Sequence, residues 1–464
     1  MKTTVSIPVG ELKPAMAGLA KIIDSRAPLE ILRSARVEVR EGGIEIVGTD
    51  SNSFARVRLG KFGSSALAPF LIPFARVQEV LRRLPAHALV RLGEGTIQCD
   101  LGTGSIGESF DPLDASAFPA EPSIQGPDID LPETFAARFR EALTCSSKET
   151  TRAILNGVLL DAGETGGHYL VATDGRHLFS ANSFTLPVNT PVVIPNLRIL
   201  GWSGFGDGWS LALEKTSFRI TRGPWSITSK PVEGAFPNWR QVVPSSRRTD
   251  ITLPQDRSFP ELLKRFPAGS DKDKGILLVH ERGVVSLQDP AGNSSASLPG
   301  ATATGPDISV CVNRDYLAKA FDFGLTNIGL TDPTSALHFR NEGRQMVVMP
   351  IRREIQQPKT TPEQPNPMTA TTTNGTTGPH INGTHPVPTH GSERPPAIAP
   401  ESNKPAIEAA IDNLESFRAN LREALAGITA ITSLLRQAIR DQRSNEREVQ
   451  SVRQTLRSLQ GVRI

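Results

Sequence analysis

The feature that most constrains this chain is a threefold internal repeat. Three short alternating stretches each run into an aspartate. They are Gly43-Ile44-Glu45-Ile46-Val47-Gly48-Thr49-Asp50, His168-Tyr169-Leu170-Val171-Ala172-Thr173-Asp174-Gly175, and Gly283-Val284-Val285-Ser286-Leu287-Gln288-Asp289. The aspartates are 124 and 115 residues apart. A period of that size implies one supersecondary unit copied three times, not a single large core. Each copy opens with a short amphipathic helix, read over Val9–Ile23, Glu133–Cys145 and Phe259–Phe266,. The alternating strands then follow the pattern of a half-solvated antiparallel sheet. A second helix comes next: Phe74–Leu84, only a short turn over Asn196–Leu200, and Asn313–Phe323. A hairpin closes each unit, as in Ser210–Glu214 with Ser217–Thr221 and Ala336–Phe339 with Gln345–Pro350. The expected boundaries lie near Ile129 and Ile251, giving α+β units at 1–128, 129–250 and 251–355.

Beyond Ile355 the repeat stops. Residues 356–404 are almost wholly Pro, Thr, Gly, Asn and Ser, too polar to offset the entropy of ordering,. This stretch reads as a disordered, extended linker, and Asn374 and Asn382 in it match the glycosylation pattern only by chance. Residues 405–464 recover Ala, Leu, Ile, Glu and Arg. Ile411, Leu414, Leu421, Leu425, Ile428, Leu435 and Ile439 fall on heptad spacing, interrupted by Arg418 and Thr432,. Such an amphipathic helix needs a partner. Self-association as a coiled coil, docking of another protein, and DNA contact by its Arg-rich end all remain open.

Charge and cysteine usage narrow the class. The chain carries 51 Lys+Arg against 48 Asp+Glu, which excludes a histone-like polycation but not a protein that segregates its charges,. Cys99, Cys145 and Cys311 are far apart and form no CxxC pair, so a reducing cytosol is expected,. The N-terminus lacks the apolar core of a secretion signal, and no run suits a membrane span.

No catalytic constellation emerges, and neither a metal nor a cofactor is expected. Asp174 and His177 are three residues apart but have no third ligand at suitable spacing,. An aspartate capping its own hairpin turn explains Asp174 better than an acid/base pair does. Cys145 reads as a small packing residue. Cations recur on the candidate helices: Lys13, Lys21 and Arg26; Arg76, Arg82 and Arg83; Arg138, Arg140 and Lys148; Arg198; Lys264 and Arg265; Arg314 and Lys319. Either they solvate outer helix faces or they present a diffuse positive surface to phosphates, without sequence readout.

Several segments carry a resemblance. Arg152-Ala-Ile-Leu-Asn-Gly157, Val171-Ala-Thr-Asp-Gly-Arg-His-Leu178, Phe236-Pro-Asn-Trp-Arg-Gln-Val-Val-Pro244, Val347-Val-Met-Pro-Ile-Arg352 and Ser25-Arg26-Ala-Pro-Leu-Glu-Ile-Leu32 stand in a fixed order. Over about residues 1–353 the chain resembles the bacterial DNA polymerase III beta subunit, the sliding clamp. That resemblance implies three repeated clamp domains, with inner helices and outer sheets, closing head to tail into a homodimeric ring around duplex DNA. It implies a non-enzymatic processivity factor in the bacterial cytoplasm, on the nucleoid, serving the polymerase III catalytic subunit and the clamp loader. A divergent paralogue that recruits partners through its helical tail is the alternative.

The resemblance also assigns residues. Arg26, Arg76, Arg82, Arg83, Arg138, Lys148 and Arg198 would face DNA. A cleft for clamp-binding peptides would comprise Arg152, Leu155, Thr173, Gly175, Leu178, Pro237, Val242, Asn313, Tyr316, Val347, Met349, Pro350 and Arg352. Phe110 would lie at the dimer interface. The chain departs from the family pattern at Arg176-His177, where the order is commonly reversed. It also departs at Gln241, Asp273 and Glu108, and in the truncated Gly201-Trp202-Ser203-Gly204 stretch.

Overall fold

A computed structural model describes residues 4–352, except 41–42, 61–67, 102–103, 164–166, 183, 257 and 268–273. The chain divides into two units, Met1–Thr361 and Pro362–Ile464, and every described residue belongs to the first. The expected linker, the heptad helix and Asp273 lie outside the described residues.

The described residues form strands grouped into four antiparallel sheets. One four-stranded sheet runs in the spatial order β1 (Thr4–Pro8), β6 (Leu89–Gly93), β7 (Thr96–Asp100), β8 (Ser105–Ser109). An eight-stranded sheet runs β5 (Phe70–Pro73), β2 (Ser34–Arg40), β3 (Gly43–Thr49), β4 (Ser53–Leu59), β16 (Trp225–Ser229), β15 (Phe218–Arg222), β14 (Ser210–Leu213), β9 (Ile129–Asp130). A nine-stranded sheet runs β13 (Val192–Pro195), β10 (Gly157–Ala162), β11 (His168–Thr173), β12 (His177–Ala181), β25 (Arg344–Val348), β24 (Leu337–Asn341), β23 (Asn327–Leu330), β17 (Thr249–Thr252), β21 (Thr302–Thr304). The last sheet runs β20 (Ser295–Ser297), β19 (Val284–Gln288), β18 (Gly275–Glu281), β22 (Ile308–Asn313).

The two large sheets are each made of two halves joined at a seam. In the first seam β4 pairs with β16, so that Val57 faces Trp225. In the second, β12 pairs with β25, so that His177 faces Val348. The period-2 pattern explains how the strands sort their side chains. In β3, Ile44 and Ile46 enter the main core under the helices, whereas Glu45 and Val47 point to the far face.

Among the described residues five α-helices pack on the sheets: α1 (Val9–Leu19), α2 (Phe74–Arg83), α3 (Phe135–Leu143), α4 (Ser258–Arg265) and α5 (Arg314–Asp322). In α2, Phe74, Val77 and Leu81 form the buried stripe, and the extended Leu84 before Pro85 ends the helix,. Helices α1 and α2 pack together, as do α4 and α5. In the middle repeat the second helix is missing, as Gly201-Trp202-Ser203-Gly204 suggested: a turn over Asn196–Trp202 leads into one 3-10 turn, Ser203–Phe205. Aromatic rings fill that space. Trp202 meets Trp225 edge-on at 5.8 Å, and Phe205 and Phe139 pack on Trp209 at 5.3 and 5.4 Å. Gly18 of α1 admits the pair, because a Cβ there would lie 2.3 Å from the Trp225 ring.

Candidate functional site

The repeated aspartates are hairpin-turn residues. Asp50 Oδ1 accepts from the backbone N–H groups of Asn52 and Ser53 at 2.9 and 2.7 Å. Asp174 Oδ1 accepts likewise from Arg176 and His177 at 2.9 and 3.0 Å. Thr49 and Thr173 each donate a hydroxyl to the backbone carbonyl four residues on. Ser51 and Gly175 occupy the same left-handed position, with φ of 81° and 87°. Asp289 differs. Its turn is longer, closed by Asp289 N to Ser294 O at 2.8 Å, so the third repeat keeps the strand but not the turn.

At the second seam this turn lies beside a buried apolar cluster. Leu178 and Val347 face each other across β12 and β25, and Met349 N continues the pairing to Arg176 O at 3.0 Å. Both side chains lie on the far face of the sheet, in a buried cluster with Leu159, Val171, Val193 and Trp239. Trp239 is pinned there by Nε1 donating to Asp161 Oδ2 at 2.9 Å and by Arg240 stacked at 4.5 Å. Arg152 reaches Gly175, near enough to touch a Cβ built there. Val242 and Met349 remain 48% and 47% exposed, rare among large apolar side chains here, which leaves an apolar surface for something to cover,. A groove of about 1350 Å³, bordered by Pro237 and floored by Leu159 and Val193, adjoins the cluster.

The site residues expected from sequence divide by role. Leu178 and Val347 belong to the buried cluster, at 4% and 2% exposure, and Leu155 is buried at 5% but outside it. Arg152, Gly175, Pro237, Val242, Met349 and Arg352 are exposed, and Thr173 and Pro350 are half-buried. Asn313 is the N-cap of α5, accepting from Asp315 N at 2.8 Å. Tyr316 joins the cleft indirectly, its hydroxyl donating to Asp174 Oδ2 at 2.9 Å.

Sequence reading missed the connections behind the turn. His177 is buried, stacked on Tyr316 with ring centroids 4.1 Å apart. Its Nδ1 lies 2.8 Å from Asp174 Oδ1 and its Nε2 lies 3.1 Å from Lys319 Nζ, which also donates to Thr144 O at 2.8 Å. Burial pushes the His177 imidazole below its ordinary range, against the pull of Asp174, and the Lys319 charge adds to the fall,. Burial raises the Asp174 carboxyl, but the His177 and Arg176 donors outweigh it and hold the group well below the carboxylate range. Cys145 is fully buried, and burial pushes its thiol up to about 12, which suits a packing residue,.

The first seam carries its own buried cluster. Its far face is plugged by Phe118 among Val47, Phe54 and Leu71, and Glu121 of the same connector bonds Arg56 on β4 at 2.5 Å.

The helix cations are less free than their sequence suggests. Arg138 pairs with Glu141, Arg83 with Glu79, and Arg140 with Asp207 while stacking on Trp209. Lys13 caps Leu84 O at 2.8 Å, and Arg198 donates to the carbonyls of Ala20 and Lys21 just after α1. Arg76, Arg82 and Lys148 are exposed and take no hydrogen bond or ion pair among the described residues. Arg26 is exposed and only loosely paired, 3.8 Å from Asp24.

Two sheet edges complete the candidate surfaces. All five residues of β8 are exposed, and Ile106 is 65% exposed. Because Phe110 N bonds Gly95 O and Leu101 N bonds Gly104 O, the alternation of antiparallel ladders turns the backbone groups of Ser105, Gly107 and Ser109 away from β7,. Phe110, half-buried, directly follows this edge. Strand β20 ends the last four-stranded sheet in the same way, with Ser295 and Ser297 exposed.

No protein-family model matches the chain. Among curated proteins, the beta sliding clamp of Escherichia coli (strain K12) is 24% identical over 349 residues, covering 71% of this chain and 94% of that protein. The beta sliding clamp of Pseudomonas putida is 23% identical over 360 residues, covering 74% and 97%. Among solved structures, the DnaN sliding clamp of Bartonella birtlesii bound to griselimycin superposes with a TM-score of 0.68 at 19% identity, covering 76% of this chain and all of that one. The DNA polymerase sliding clamp of Bacillus subtilis gives 0.67 at 18%, with the same coverage. The chain is thus similar to beta sliding clamps over its first three-quarters and has their fold.

Proposed function

We propose that this protein is a sliding clamp, a non-catalytic processivity factor that encircles duplex DNA and tethers a polymerase to it. The carrying observation is how the half-sheets are joined. Two seams are made inside the chain, each uniting two half-sheets of about four strands. Two four-stranded sheets remain, and β8 and β20 are end strands of theirs, each paired on one side only. Joining β8 of one copy to β20 of the next makes a third seam of the same kind, head to tail. With two copies, as the clamp resemblance implies, the result is six repeats in a closed ring. Exposed backbone edges of this sort are otherwise a liability for aggregation.

The remaining features fit that reading. Arg26, Arg76, Arg82 and Lys148 supply a sparse set of exposed cations, suited to phosphate contacts that are weak, salt-dependent and blind to sequence,. A ring holds DNA by topology, so it does not need high affinity. The cleft at the second seam suits an extended peptide with apolar anchors, covering Val242 and Met349 over the Leu178–Val347 floor, with Arg152 and Arg352 at its rim,. Peptides of the polymerase III catalytic subunit and of the clamp loader are its proposed ligands. Among the described residues no helix is long and apolar enough to cross a membrane, and the proposed place of action is the nucleoid in the cytoplasm.

A second reading, a divergent paralogue acting as a recruitment scaffold, is favoured by the single 3-10 turn in place of the middle repeat's second helix and by the long stretch beyond Arg352. The primary test compares retention on nicked circular and linear DNA after clamp loading. A sliding clamp stays on the circle and runs off the linear ends. Equal retention on both rejects the proposal. Polymerase stimulation in the same reactions separates the two readings, because a scaffold would slide without raising processivity.

A further inference from the structure

We infer that His177, neutral and protonated on Nδ1, is a positioning residue of the cleft, locking the Thr173–Leu178 turn to α5 in the shape a peptide partner fits. The inference rests on the partner-cleft reading above and adds to it how the cleft floor is held.

The argument starts from the two matched turns. Thr49-Asp50-Ser51-Asn52-Ser53 and Thr173-Asp174-Gly175-Arg176-His177 share their hydroxyl bond, their carboxylate cap and their left-handed residue. The turn therefore folds without a histidine. At the first seam the equivalent side chain is Ser53, which meets Ser229 Oγ at 2.9 Å, and the far face beyond it is plugged. At the second seam the far face also carries a buried cluster, and the side chain is an imidazole reaching into another element. What distinguishes the seam with the cleft is the His177–Tyr316–Lys319 connection.

The geometry fixes the protonation state. Asp174 Oδ1 can only accept, so Nδ1 must carry a proton,. The Lys319 ammonium can only donate, so Nε2 must be bare,. The imidazole is then a one-way link: α5 donates to it and it donates to the turn. Gly175 and Thr173 line the cleft, Arg176 O holds Met349 N at 3.0 Å, and Tyr316 OH holds the other oxygen of Asp174. A second proton on Nε2 would set two cations 3.1 Å apart in a buried site and break the link at Lys319,.

The groups against His177 are Asp174 of its own turn and Tyr316 and Lys319 of α5. One step further out, Arg176 and Asp315 act on Tyr316, Thr144 O accepts from Lys319, and Glu141, Asp174 and Lys319 act on Cys145 just past α3. Facing it from β25 is the backbone of Val348.

The test uses the full-length protein and a fluorescein-labelled clamp-binding peptide of a bacterial polymerase III catalytic subunit, titrated from pH 8 down through the His177 midpoint, which imidazole ¹⁵N shifts locate in the same samples. The wild type is expected to lose about tenfold in affinity per pH unit below the His177 midpoint. In His177→Gln the amide donates to Asp174 and accepts from Lys319 without titrating. This variant is expected to bind as the wild type does at pH 8 and to change less than about twofold across the range. Lys319→Met removes the opposing cation and is expected to move the wild-type midpoint to higher pH. Imidazole ¹⁵N shifts at pH 8 are expected to show the Nδ1–H form. A His177→Gln profile as steep as the wild type, an unmoved midpoint in Lys319→Met, or an Nε2–H tautomer would each overturn the inference while leaving the cleft standing. No peptide binding at pH 8 by any variant would overturn the cleft reading and this inference with it.

Discussion

Replacing Arg56 by methionine is predicted to unfasten the first seam. Arg56 Nη1 lies 2.5 Å from Glu45 and 3.4 Å from Glu38, and Nη2 lies 2.5 Å from Glu121. Its side chain is 18% exposed and the three glutamates 5%, 7% and 15%, so the charges are substantially out of water. Removing one partner of a buried pair costs roughly 3–5 kcal/mol, because the other charge stays buried. Two glutamates have reserves. Glu38 keeps Arg36 at 2.6 Å and Arg40 at 2.7 Å, and Glu45 keeps Arg58 at 3.0 Å. Glu121 is left only the Thr228 hydroxyl at 2.9 Å. One orphaned carboxylate, not three, puts the loss near about 3 kcal/mol. Urea unfolding followed by tryptophan fluorescence reads it, since Trp225 sits on the seam strand opposite Val57.

A second change makes the reasoning refutable. Adding Glu121→Gln to Arg56→Met removes the orphaned charge and should recover about 1–2 kcal/mol. If Arg56→Met stays within about 0.5 kcal/mol of wild type, or Glu121→Gln deepens the loss, the cluster is not holding the seam. The pH dependence supplies a third arm. Burial pushes the Glu38 carboxyl up, but the Arg40 hydrogen bond and the Arg36, Arg56 and Arg40 charges outweigh it and leave it below its ordinary 4.5. A lowered carboxyl contributes stability that is present above its unfolded value and lost as pH falls through its folded value. The acid loss below about pH 4.5 should therefore be smaller in Arg56→Met.

The remaining predictions concern the three proposed surfaces. Ser109→Pro removes an outward N–H from β8, where an edge strand tolerates proline. Its expected effect is a monomer in sedimentation velocity at concentrations where the wild type is dimeric, with an unchanged melting temperature. The pair Val242→Asp and Met349→Asp should weaken peptide binding more than tenfold, about 1.4 kcal/mol or more, and leave retention on circular DNA intact. The pair Arg82→Ala and Lys148→Ala should flatten the plot of log affinity for duplex DNA against log salt by up to about 0.9 for each phosphate no longer neutralised. An unchanged slope would place both side chains away from DNA.

Much of this fold was legible because the repeat carries a local signal. The Thr-Asp turn is written in the same letters at Thr49-Asp50 and Thr173-Asp174, and it folds the same way at both. The missing helix was visible as Gly201-Trp202-Ser203-Gly204, since glycine raises the cost of a helix interior,. Helix ends were read long: the first and third run only over Val9–Leu19 and Phe135–Leu143. The seams were not legible. Strand β4 shows no local preference for β16, because pairing across 176 residues depends on tertiary packing. For the same reason the partners of Arg138, Arg140 and Lys319, which are Glu141, Asp207 and Thr144 O, could not be read from the sequence. The Arg176-His177 order is visible in the sequence, but the contact of His177 with Lys319, 142 residues away, is not.

Both internal seams are crossed by a covalent strap. The connector bearing Phe118 and Glu121 lies over the first, and the Phe236–Val243 segment packs against the cluster under the second. In the proposed ring, the seam between β8 and β20 has no strap, because no peptide chain runs from one copy to the next. Under a pulling force the internal seams would behave as riveted joints and the third as a zipper. In such a ring the third seam would be the joint that chain connectivity leaves free to open, before any side-chain contact is counted.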